Sequence, residues 1–289
     1  MTIAVVIPTV GRTFFVLNMV MLLQAGSRKP DQIIIVDQTE PELRNRFAFA
    51  KLRECEERGL CRIIEHPVKS ATIARNLGAL ASHADVLVYV DDDAFIPPDF
   101  IEGYIEVFQD LQIDAATGLV LVGESDDGTI DTDRMHPSRH DNHLMLRGGN
   151  FAIRRSVMHM IGGLDENMIG AANHEDADMA YRLHEHGCKV VWVPKPWIFH
   201  LSYQGGGGRV PNPRARLNFA YNLIYFHLRH GRLNAASLAG LLRKCVFNRR
   251  NVTRPWLLLP RLADFIRGYR LACAAVKRGP ALPLEPLAP

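Results

Sequence analysis

The sequence lacks the features that mark a secreted, disulfide-stabilised or membrane-spanning protein. Its 289 residues include only five cysteines, and no two of them stand in a C-x-x-C pair, so neither a metal-binding motif nor a disulfide framework is indicated. No stretch approaches the roughly 18 consecutive apolar residues that a membrane-spanning helix needs. The first apolar run follows no basic region and is soon interrupted by Pro8 and Gly11, which is typical of a first strand and not of a signal peptide. We therefore expect a cytoplasmic protein.

Acidic residues are scarce near the C-terminus. Residues 229–289 contain 12 Lys and Arg against 2 Asp and Glu, a net charge of +10, whereas residues 1–228 contain 22 against 29, a net charge of −7. A basic tail on an acidic body predicts an anionic surface as the partner of the tail. The remaining composition, 47% hydrophobic and 22% charged, is ordinary for a globular protein with a sizeable core.

Three short apolar runs rich in β-branched residues each end in polar side chains. These runs and the residues after them are Ile3–Ile7 with Pro8-Thr9, Ile33–Val36 with Asp37, and Val86–Val90 with Asp91. Segments of helical period lie between them, as in Phe14–Leu23 and Ile73–Leu80. The alternation predicts an α/β fold whose parallel sheet is buried on both faces. Because ligands bind beyond the carboxyl ends of such strands, Thr9, Asp37 and Asp91 are expected to share one crevice.

Weaker patterns divide the rest of the chain. The predicted elements, in chain order, are a helix from Pro97-Pro98 to about Leu111, an excursion loop over 123–143, a helix over Asn173–His186, a strand over Val190–Val193, a flexible joint at Gly205–Gly208 and a helix over Leu217–His230. The last ten residues are rich in proline and are expected to be disordered. These patterns predict one domain over residues 1–205 and a helical extension over residues 206–289.

Asp91, Asp92 and Asp93 stand together where a buried strand is predicted to end. Three adjacent carboxylates repel one another, and burying them without a counter-charge is costly. A divalent cation with oxygen ligands removes that cost and usually brings substrate phosphates with it. A solvated acidic loop is the alternative, and the triplet alone does not decide between the two. Its position in line with Thr9 and Asp37 favours the metal site.

The segment Asn173–Asp178 opens a predicted helix and has two compatible interpretations. As a helix start, Asn173 is a good N-cap and Asp176 stands at the capping-box position. Asp178 and Arg182 would then form an exposed pair at i, i+4. Asp176 is also in phase with the apolar stripe of the helix, so its carboxylate is expected to point inward, where an ionised Asp can serve as a general base.

Three further features are weaker on their own. His200 follows the strand-like Trp197–Phe199, and a lone histidine is more often a packed residue than a ligand. Gly148-Gly149-Asn150 predicts either an ordinary turn or a place where a substrate approaches the backbone closely. Arg75 stands early in a predicted helix, where its guanidinium meets either a phosphate or a surface carboxylate.

Taken together, these motifs resemble those of the inverting family 2 glycosyltransferases of the GT-A fold. The matching segments occur in the family's order and spacing and cover about residues 1–205. They are Ile7-Pro8-Thr9, Val36-Asp37, Ala74–Gly78, Asp91–Asp93, Gly149–Phe151, Gly162–Glu166 and Glu175–Asp178. The fold that the resemblance implies is a Rossmann-like mixed sheet flanked by helices, with a nucleotide-sugar half over about residues 1–115 and an acceptor half over about residues 116–205.

The resemblance also implies roles for individual residues. The nucleotide-sugar positions correspond to Pro8, Thr9, Asp37, Arg75, Asp91 and Asp92, with Asp37 near the base. Asp91, Asp93 and His200 correspond to ligands of Mg²⁺ or Mn²⁺. Gly149, Asn150 and Glu175 correspond to the acceptor side, and Asp176 corresponds to the catalytic base. Gln38-Thr39 follows Asp37 where the family often has Asp-Asp-Gly-Ser, which leaves the nucleotide base open.

Such an enzyme transfers a sugar from a nucleotide-sugar donor to an acceptor hydroxyl and inverts the anomeric carbon. A saccharide or lipid-linked acceptor is expected, in polysaccharide or glycolipid synthesis, with the basic tail on the inner face of a membrane. The alternative for the tail is packing of its helices on the catalytic domain, with arginines toward the acidic surface. Rival functions are a nucleotidyltransferase or phosphohydrolase that uses the same metal, and a nucleic-acid-binding protein. No nucleic acid is expected, because the tail has few aromatic stacking platforms and the acidic body repels phosphates.

Overall fold

The computed structural model describes residues 1–124, 129–130, 139–140, 143–170, 173–201, 203, 205–206 and 215–287. Its helices are α1 (Thr13–Ala25), α2 (Arg46–Glu57), α3 (Ala71–Ala81), α4 (Phe100–Phe108), α5 (Arg155–Met160), α6 (Glu175–Glu185), α7 (Ala215–Arg229), α8 (Ala235–Cys245), α9 (Arg249–Val252) and α10 (Leu258–Arg278). Its strands are β1 (Ile3–Thr9), β2 (Gln32–Asp37), β3 (Arg62–Glu65), β4 (Val86–Val90), β5 (Ala94–Phe95), β6 (Ala115–Glu124), β7 (Thr129–Ile130), β8 (Arg139–His140), β9 (His143–Leu144), β10 (Asn150–Arg154) and β11 (Val190–His200).

The strands of the main sheet lie in the order β3-β2-β1-β4-β10-β6-β11-β5, with β7 paired to β6, and the first four run parallel. Successive side chains of β1 point to opposite faces of this sheet and pack into two different core clusters. Ile3, Val5 and Ile7 belong to the core cluster that includes α1 and α4. Ala4 and Val6 belong to the cluster that includes α3. The mixed sheet with helices on both faces confirms the predicted α/β architecture.

Close packing of α3 on the sheet depends on Gly78. A Cβ added at this residue would lie 2.2 Å from Cγ1 of Val6, so no larger residue fits without a shift of the backbone. The contact seats α3 against β1. Arg75 lies on the same helix, one turn before Gly78. The close packing of Gly78 therefore also fixes the position of Arg75.

The sequence did not predict strand β10. It runs antiparallel between β4 and β6, and Asn150 pairs with Val90. The predicted strand over Val190–Val193 is longer than expected, since β11 continues to His200 and pairs there with Ala94 of β5. Both strands bring the second half of the sheet next to the carboxyl end of β4, where the Asp triplet begins.

The helical extension shares a hydrophobic core with the rest of the chain. A third core cluster joins Met168, Ala177 and Tyr181 to residues of α7, α8 and α10. Helices α7 and α10 approach closely at Gly268. A Cβ added at this residue would lie only 3.1 Å from the backbone nitrogen of Tyr221. Among the residues that the structure describes, no helix combines the length and the hydropathy that crossing a membrane requires.

The predicted disorder of the last ten residues is wrong for residues 280–287. Leu284 is buried in the core cluster that also contains α5 residues, and its amide donates to the carbonyl of Gly162 at 3.2 Å. The amide of Ala281 donates to the Asp165 carboxylate at 2.9 Å. The buried Leu284 and these hydrogen bonds hold residues 280–287 in place, although their proline content alone predicts disorder. The loop over 123–143 and the joint Gly205–Gly208 lie partly outside the described residues and stay predictions.

Candidate active site

Polar side chains meet at the carboxyl ends of β1, β2 and β4. Thr9 lies opposite Asp37 in the register of β1 and β2. Its hydroxyl donates to Oδ2 of Asp92 at 2.7 Å, which ties the end of β1 to the segment after β4. Thr9, Asp37 and Asp92 are buried, whereas Pro8 is half-buried. The three strand ends therefore lie at one edge of the sheet.

Asp91, Asp93 and His200 form a compact cluster at this edge. One ligand atom from each residue lies within 4.8 Å of the others. Nε2 of His200 is 3.5 Å from Oδ2 of Asp91 and 3.2 Å from Oδ1 of Asp93. Burial opposes a charged ring, but the two carboxylates raise the pKa of His200 to about 9. Burial likewise opposes ionised carboxylates, yet the ring holds the pKa values of Asp91 and Asp93 below their usual range.

The donor set of this cluster fits a divalent cation. Oδ1 of Asp93 is buried and receives no hydrogen bond from the described part of the chain, although His200 lies beside it. Two carboxylates and one imidazole offer the oxygen-rich ligand set that Mg²⁺ or Mn²⁺ takes in proteins. A cation here would take over from the His200 proton as the counter-charge of the carboxylates. The cluster can therefore hold a metal.

Arg12 belongs to the same group of charges, and the sequence analysis did not single it out. Its Nη1 lies 2.9 Å from Oδ1 of Asp92 and 2.9 Å from Oδ2 of Asp93. Its other nitrogens donate to the carbonyls of Tyr203 at 2.6 Å and Gly205 at 2.8 Å. Burial raises the pKa of Asp92 to about 6 in spite of this guanidinium. The signal that could have found Arg12 is its place in the short loop after β1, within the same edge of the sheet.

Arg75 connects the Asp triplet with the start of α6. Its Nη2 lies 3.5 Å from Oδ1 of Asp91 and donates to the carbonyl of Gly148 at 2.9 Å, while Nη1 is 3.1 Å from Oε1 of Glu175. A Cβ on Gly149 would lie 2.6 Å from Oδ2 of Asp91, so glycine is required for this close approach. Arg75 is only 4% exposed, which excludes the alternative of a surface ion pair. The buried guanidinium therefore joins the segment after β4 to the start of α6.

Glu175 and Asp176 form a carboxylate pair in the first turn of α6. Burial and the charge of Asp176 raise the pKa of Glu175, although Arg75 is adjacent. Burial also raises the pKa of Asp176, against the backbone amide of Ala177, which donates to Oδ1 at 2.8 Å. Asp176 is half-buried, so solvent reaches part of it. A carboxylate with a raised pKa accepts a proton more readily than an ordinary Asp does, provided that it is ionised.

The start of α6 differs from the prediction. The N-cap is His174 and not Asn173, and no side chain caps the helix. His174 has a φ of 76°, and it is the one non-glycine residue with positive φ among the described residues. This conformation costs an L-residue about 1–2 kcal/mol. Strained backbone beside buried carboxylates is common at functional sites, where the surrounding structure holds it in place.

The predicted exposed pair of Asp178 and Arg182 is wrong, because these residues are only 1% and 4% exposed. Nε of Arg182 donates to Asp178 at 2.9 Å, and Arg229 and His230 at the end of α7 each lie 3.0 Å from Oδ1 of Asp178. Arg229 also pairs with Asp165. These partners come from a distant helix, so the local i, i+4 pattern could not show them. At this position an arginine of the tail faces acidic residues of the catalytic domain, as the packing alternative predicts.

Asp37 lies in a second charged group at the end of β2. Its Oδ2 is 2.9 Å from Nε of Arg44, and its Oδ1 accepts the amide of Thr39 at 2.9 Å. Gln38 bonds Ser70 before α3, and the Thr39 hydroxyl accepts the amide of Gly11 at 2.7 Å. The departure from the family motif at residues 38–39 therefore coincides with side chains that hold neighbouring loops together.

Asn150 is fully buried and its side-chain amide joins three strands. It donates to the carbonyls of Leu119 at 3.0 Å and Pro196 at 2.7 Å, and it accepts the hydroxyl of Tyr104 at 2.7 Å. These bonds connect β10 with β6 and β11. Such burial does not favour contact with an acceptor, so the predicted role of Asn150 stays a prediction. Gly149, by contrast, lies against Asp91 at the edge of the site.

Two solved glycosyltransferase structures have the same fold. GalNAc-T7 with UDP, GalNAc and Mn²⁺ matches with a TM-score of 0.61 at 15% identity, over 84% of this chain and 54% of that chain. The mannosyltransferase PcManGT from Pyrobaculum calidifontis, in complex with GDP-Man and Mn²⁺, matches with a TM-score of 0.59 at 15% identity, over 96% and 75%. The chain thus spans about half the length of GalNAc-T7. At such identity the likeness shows the fold alone, which is the GT-A fold.

Sequence comparison gives the family. No curated protein matches the chain. The sequence model described as glycosyltransferase like family 2 matches residues 2–205, which is more than half of the chain. The matched region holds the Asp triplet, Arg75, the carboxylate pair and His200. The chain therefore belongs to glycosyltransferase family 2.

Proposed function

We propose that the protein transfers a glycosyl group from a nucleotide-sugar donor to an acceptor hydroxyl, with a divalent cation and with inversion of the anomeric carbon. The observation that carries this is the link between two carboxylate groups: Arg75 lies 3.5 Å from Asp91 in the metal-binding cluster and 3.1 Å from Glu175, the neighbour of Asp176. Family membership supports the reaction class. The UDP and GDP-Man of the two similar structures, each with Mn²⁺, support the donor class.

The donor binds at the carboxyl ends of β1, β2 and β4 in this proposal. Pro8, Thr9 and Asp37 contact the nucleoside, while Asp91, Asp93 and His200 hold Mg²⁺ or Mn²⁺. When bound, that cation stabilises the negative charge that develops on the departing nucleoside diphosphate. Arg75 and Asp92 lie beside the cluster and complete the diphosphate site. Arg12 holds Asp92 and Asp93 in place through its two ion pairs.

Asp176 is the general base on the acceptor side. The acceptor oxygen forms a bond to the anomeric carbon as the bond from that carbon to the diphosphate oxygen breaks, and the hydroxyl proton passes to Asp176. Attack from the face opposite the leaving group inverts the configuration. Gly149 and Glu175 contact the acceptor, and the strained His174 backbone helps to direct the carboxylates. Positioning and fixed charges supply most of the acceleration.

The acceptor is a saccharide or a lipid-linked saccharide, and the extension holds the enzyme against an anionic membrane surface in polysaccharide or glycolipid synthesis. Support comes from large apolar side chains that stand in solvent among the basic residues of the extension, above all Trp256 at 70% and Leu259 at 78% exposure. Basic helices with an apolar face lie in the membrane interface without spanning it.

Calorimetry and product analysis test the reaction. UDP and GDP are titrated into the full chain with Mn²⁺ and then with EDTA, and we expect EDTA to remove most of the affinity for the preferred nucleotide. Nucleotide-sugar turnover should release the nucleoside diphosphate. Equal affinity in both conditions, or an Asp93→Ala variant that binds normally, would contradict the metal-dependent donor site. Release of pyrophosphate or inorganic phosphate instead would point to a nucleotidyltransferase or phosphohydrolase.

A further inference from the structure

The helical extension contains a cavity of about 290 Å³ that shares no lining residue with the proposed active site. It lies between α7, the end of α8, the turn before α9 and the start of α10. Arg216, Lys244 and Arg261 contribute three positive charges to its lining, and Asp264 contributes the one negative charge of the described lining residues. Asp264 is 3.8 Å from Arg216, at the outer limit of an ion pair. The described lining residues therefore carry a net positive charge, which suits an anion.

The wall of the cavity is fixed by side-chain hydrogen bonds. The amide of Asn248 donates to the carbonyl of Lys244 at 3.1 Å, and the amide of Asn251 donates to the carbonyl of Val246 at 2.9 Å. The ammonium of Lys244 also lies 5.6 Å from the ring centroid of Phe219 on α7. The two asparagine bonds hold the turn between α8 and α9, and the contact of Lys244 with Phe219 joins α8 to α7.

Exposed apolar side chains stand beside the lining residues in the chain. Phe247 precedes Asn248 and is 50% exposed, and Val252 follows Asn251 and is 54% exposed. Leu259 stands two residues before Arg261 and is 78% exposed. A soluble anion would make no use of these apolar groups. A phospholipid has both the anionic phosphate and the acyl chains that such an arrangement matches.

The outer side of helix α10 also combines exposed apolar and cationic side chains. Phe265, Gly268, Ala272 and Ala275 are its buried residues and pack toward α7. The exposed positions include Ile266, Arg267, Arg270 and Leu271, and residues 265–278 contain no Asp or Glu. The exposed side therefore combines apolar and cationic groups without a negative charge that would repel an anionic bilayer.

We propose that this cavity takes the phosphate of an anionic phospholipid headgroup, while exposed side chains near its lining residues in the chain, Phe247, Val252, Trp256 and Leu259, enter the interfacial layer of the bilayer. Arg and Lys side chains bind phosphate through charge-assisted hydrogen bonds. Tryptophan is enriched at membrane interfaces because its ring is apolar and its N–H is polar. The inference rests on the membrane attachment of the proposed function and adds a specific lipid contact to it.

Vesicle flotation of the full chain at low ionic strength tests the proposal. Phosphatidylcholine vesicles with and without phosphatidylglycerol are compared, and binding is expected only with the anionic lipid. The variant Lys244→Gln/Arg261→Gln removes two charges from the cavity, and Lys277→Gln/Arg278→Gln removes two exposed charges from the far end of α10 as the matched control. General electrostatic attraction predicts similar losses of about tenfold or more in both variants. A headgroup site predicts a loss in the cavity variant that is at least another tenfold larger.

Equal losses in the two variants, or no binding of the unaltered chain to anionic vesicles, would overturn the proposal. Thermal unfolding in inorganic phosphate separates the sources of the ligand: stabilisation by phosphate without vesicle binding means that a free anion, and not a lipid, occupies the cavity. Nucleoside diphosphate affinity with Mn²⁺ reports the proposed donor site independently and should be unchanged in both variants. Should the cavity variant fail to fold, Asp264→Asn is the alternative test. It removes the negative charge from the cavity lining, so flotation with anionic vesicles should increase several-fold. Unchanged flotation would count against the headgroup site.

Discussion

Among single residues, Asp176 is the one on which the proposed chemistry depends most directly. Asp176→Asn removes the proton acceptor and keeps the size of the side chain, so the rate of transfer should fall on the order of 10²–10⁴-fold. Nucleoside diphosphate affinity should stay nearly unchanged, because Asp176 is not part of the cluster of Asp91, Asp93 and His200. Turnover of the nucleotide-sugar and calorimetry measure the two quantities. Glu185→Gln at the exposed end of the same helix is the control, and a variant that keeps most of its transfer rate would place the base elsewhere.

His200 should lose a proton when the cation binds. Without metal the ring is the counter-charge of two carboxylates and its pKa is about 9, but a metal ligand must be neutral. At pH values below about 9, where the ring is protonated in the metal-free protein, Mn²⁺ binding should release about one proton and should tighten as the pH rises. Calorimetry in buffers of different ionisation enthalpy counts the protons. His200→Gln should release none and bind Mn²⁺ more weakly, and equal proton release in both proteins would show that His200 is not a ligand.

Arg12 competes with a cation for the same carboxylates while it holds them in place. Arg12→Met removes a positive charge that lies 2.9 Å from Asp92 and Asp93, so Mn²⁺ alone should bind several-fold more tightly. Transfer should nevertheless fall, because the backbone at Tyr203 and Gly205 loses its anchor. Electron paramagnetic resonance titration measures free Mn²⁺, and Arg12→Lys should be intermediate. Weaker Mn²⁺ binding in Arg12→Met would mean that positioning of the carboxylates outweighs competition.

Among the elements, those buried on both faces were predictable from the sequence and those at junctions were not. β1, β2 and β4 are continuous apolar runs, and the position of the triplet after Val90, in line with Thr9 and Asp37, is what favoured a metal site. β10 carries only three apolar residues between Asn150 and Arg154, which periodicity cannot separate from a turn. The predicted start of α6 was wrong because His174, whose strained backbone is held by tertiary contacts, takes the N-cap position in place of Asn173. Arg12 was missed because a single arginine belongs to no periodic pattern, although its place in the loop directly after β1 was a usable signal.

The contact between α6 and α7 should matter for stability at neutral pH. Burial opposes ionisation of Asp178, but Arg182, a hydrogen bond from His230 and the charge of Arg229 outweigh it and hold the pKa of this carboxyl below its usual range. Its stabilising contribution is therefore present above the unfolded pKa of about 3.9 and is lost as the pH falls through the folded value. Asp178→Asn should lower the free energy of unfolding by about 3–5 kcal/mol at pH 7, because it takes the carboxylate partner from the buried guanidinium of Arg182.

Urea unfolding of both proteins at pH 7 and at several pH values below about 3.9 measures this difference, which should shrink only in that acidic range as Asp178 becomes protonated. Asp110→Asn serves as the control, since Asp110 pairs with Lys189 where both side chains are nearly half exposed. A difference between Asp178→Asn and the unaltered chain that is the same at every pH would contradict the assigned charge of Asp178.

Across the whole molecule, the charge asymmetry was visible in the sequence but its geometry was not. Arg229 turns inward to Asp165 and Asp178, whereas Arg267 and Arg270 stand on the outer side of α10. Arg229 therefore fits the packing interpretation, whereas contact of the outward arginines with a membrane stays a prediction. Composition could not separate them, because the direction of each side chain depends on which helix face packs on the third core cluster.

That shared core makes a prediction about the whole chain. A chain cut after residue 205 exposes Met168, Ala177 and Tyr181, which pack on α7, α8 and α10 in the intact protein. The cut also removes Arg229, the arginine that pairs with both Asp165 and Asp178. We therefore expect this shortened chain to aggregate or to unfold without a cooperative transition, as size-exclusion chromatography and urea unfolding would show.

A chain cut after residue 278 is the matched control for that experiment. It keeps α7 to α10 and loses the buried Leu284, so it should remain folded and lose about 2–5 kcal/mol of unfolding free energy. It should also bind the preferred nucleoside diphosphate with Mn²⁺ about as tightly as the full chain, because no residue of the proposed donor site is removed. If residues 1–205 alone unfold cooperatively and bind the nucleotide equally well, the extension is an independent domain. The stability of the catalytic domain then comes from the two clusters around the sheet, and the third core cluster serves only to dock the extension.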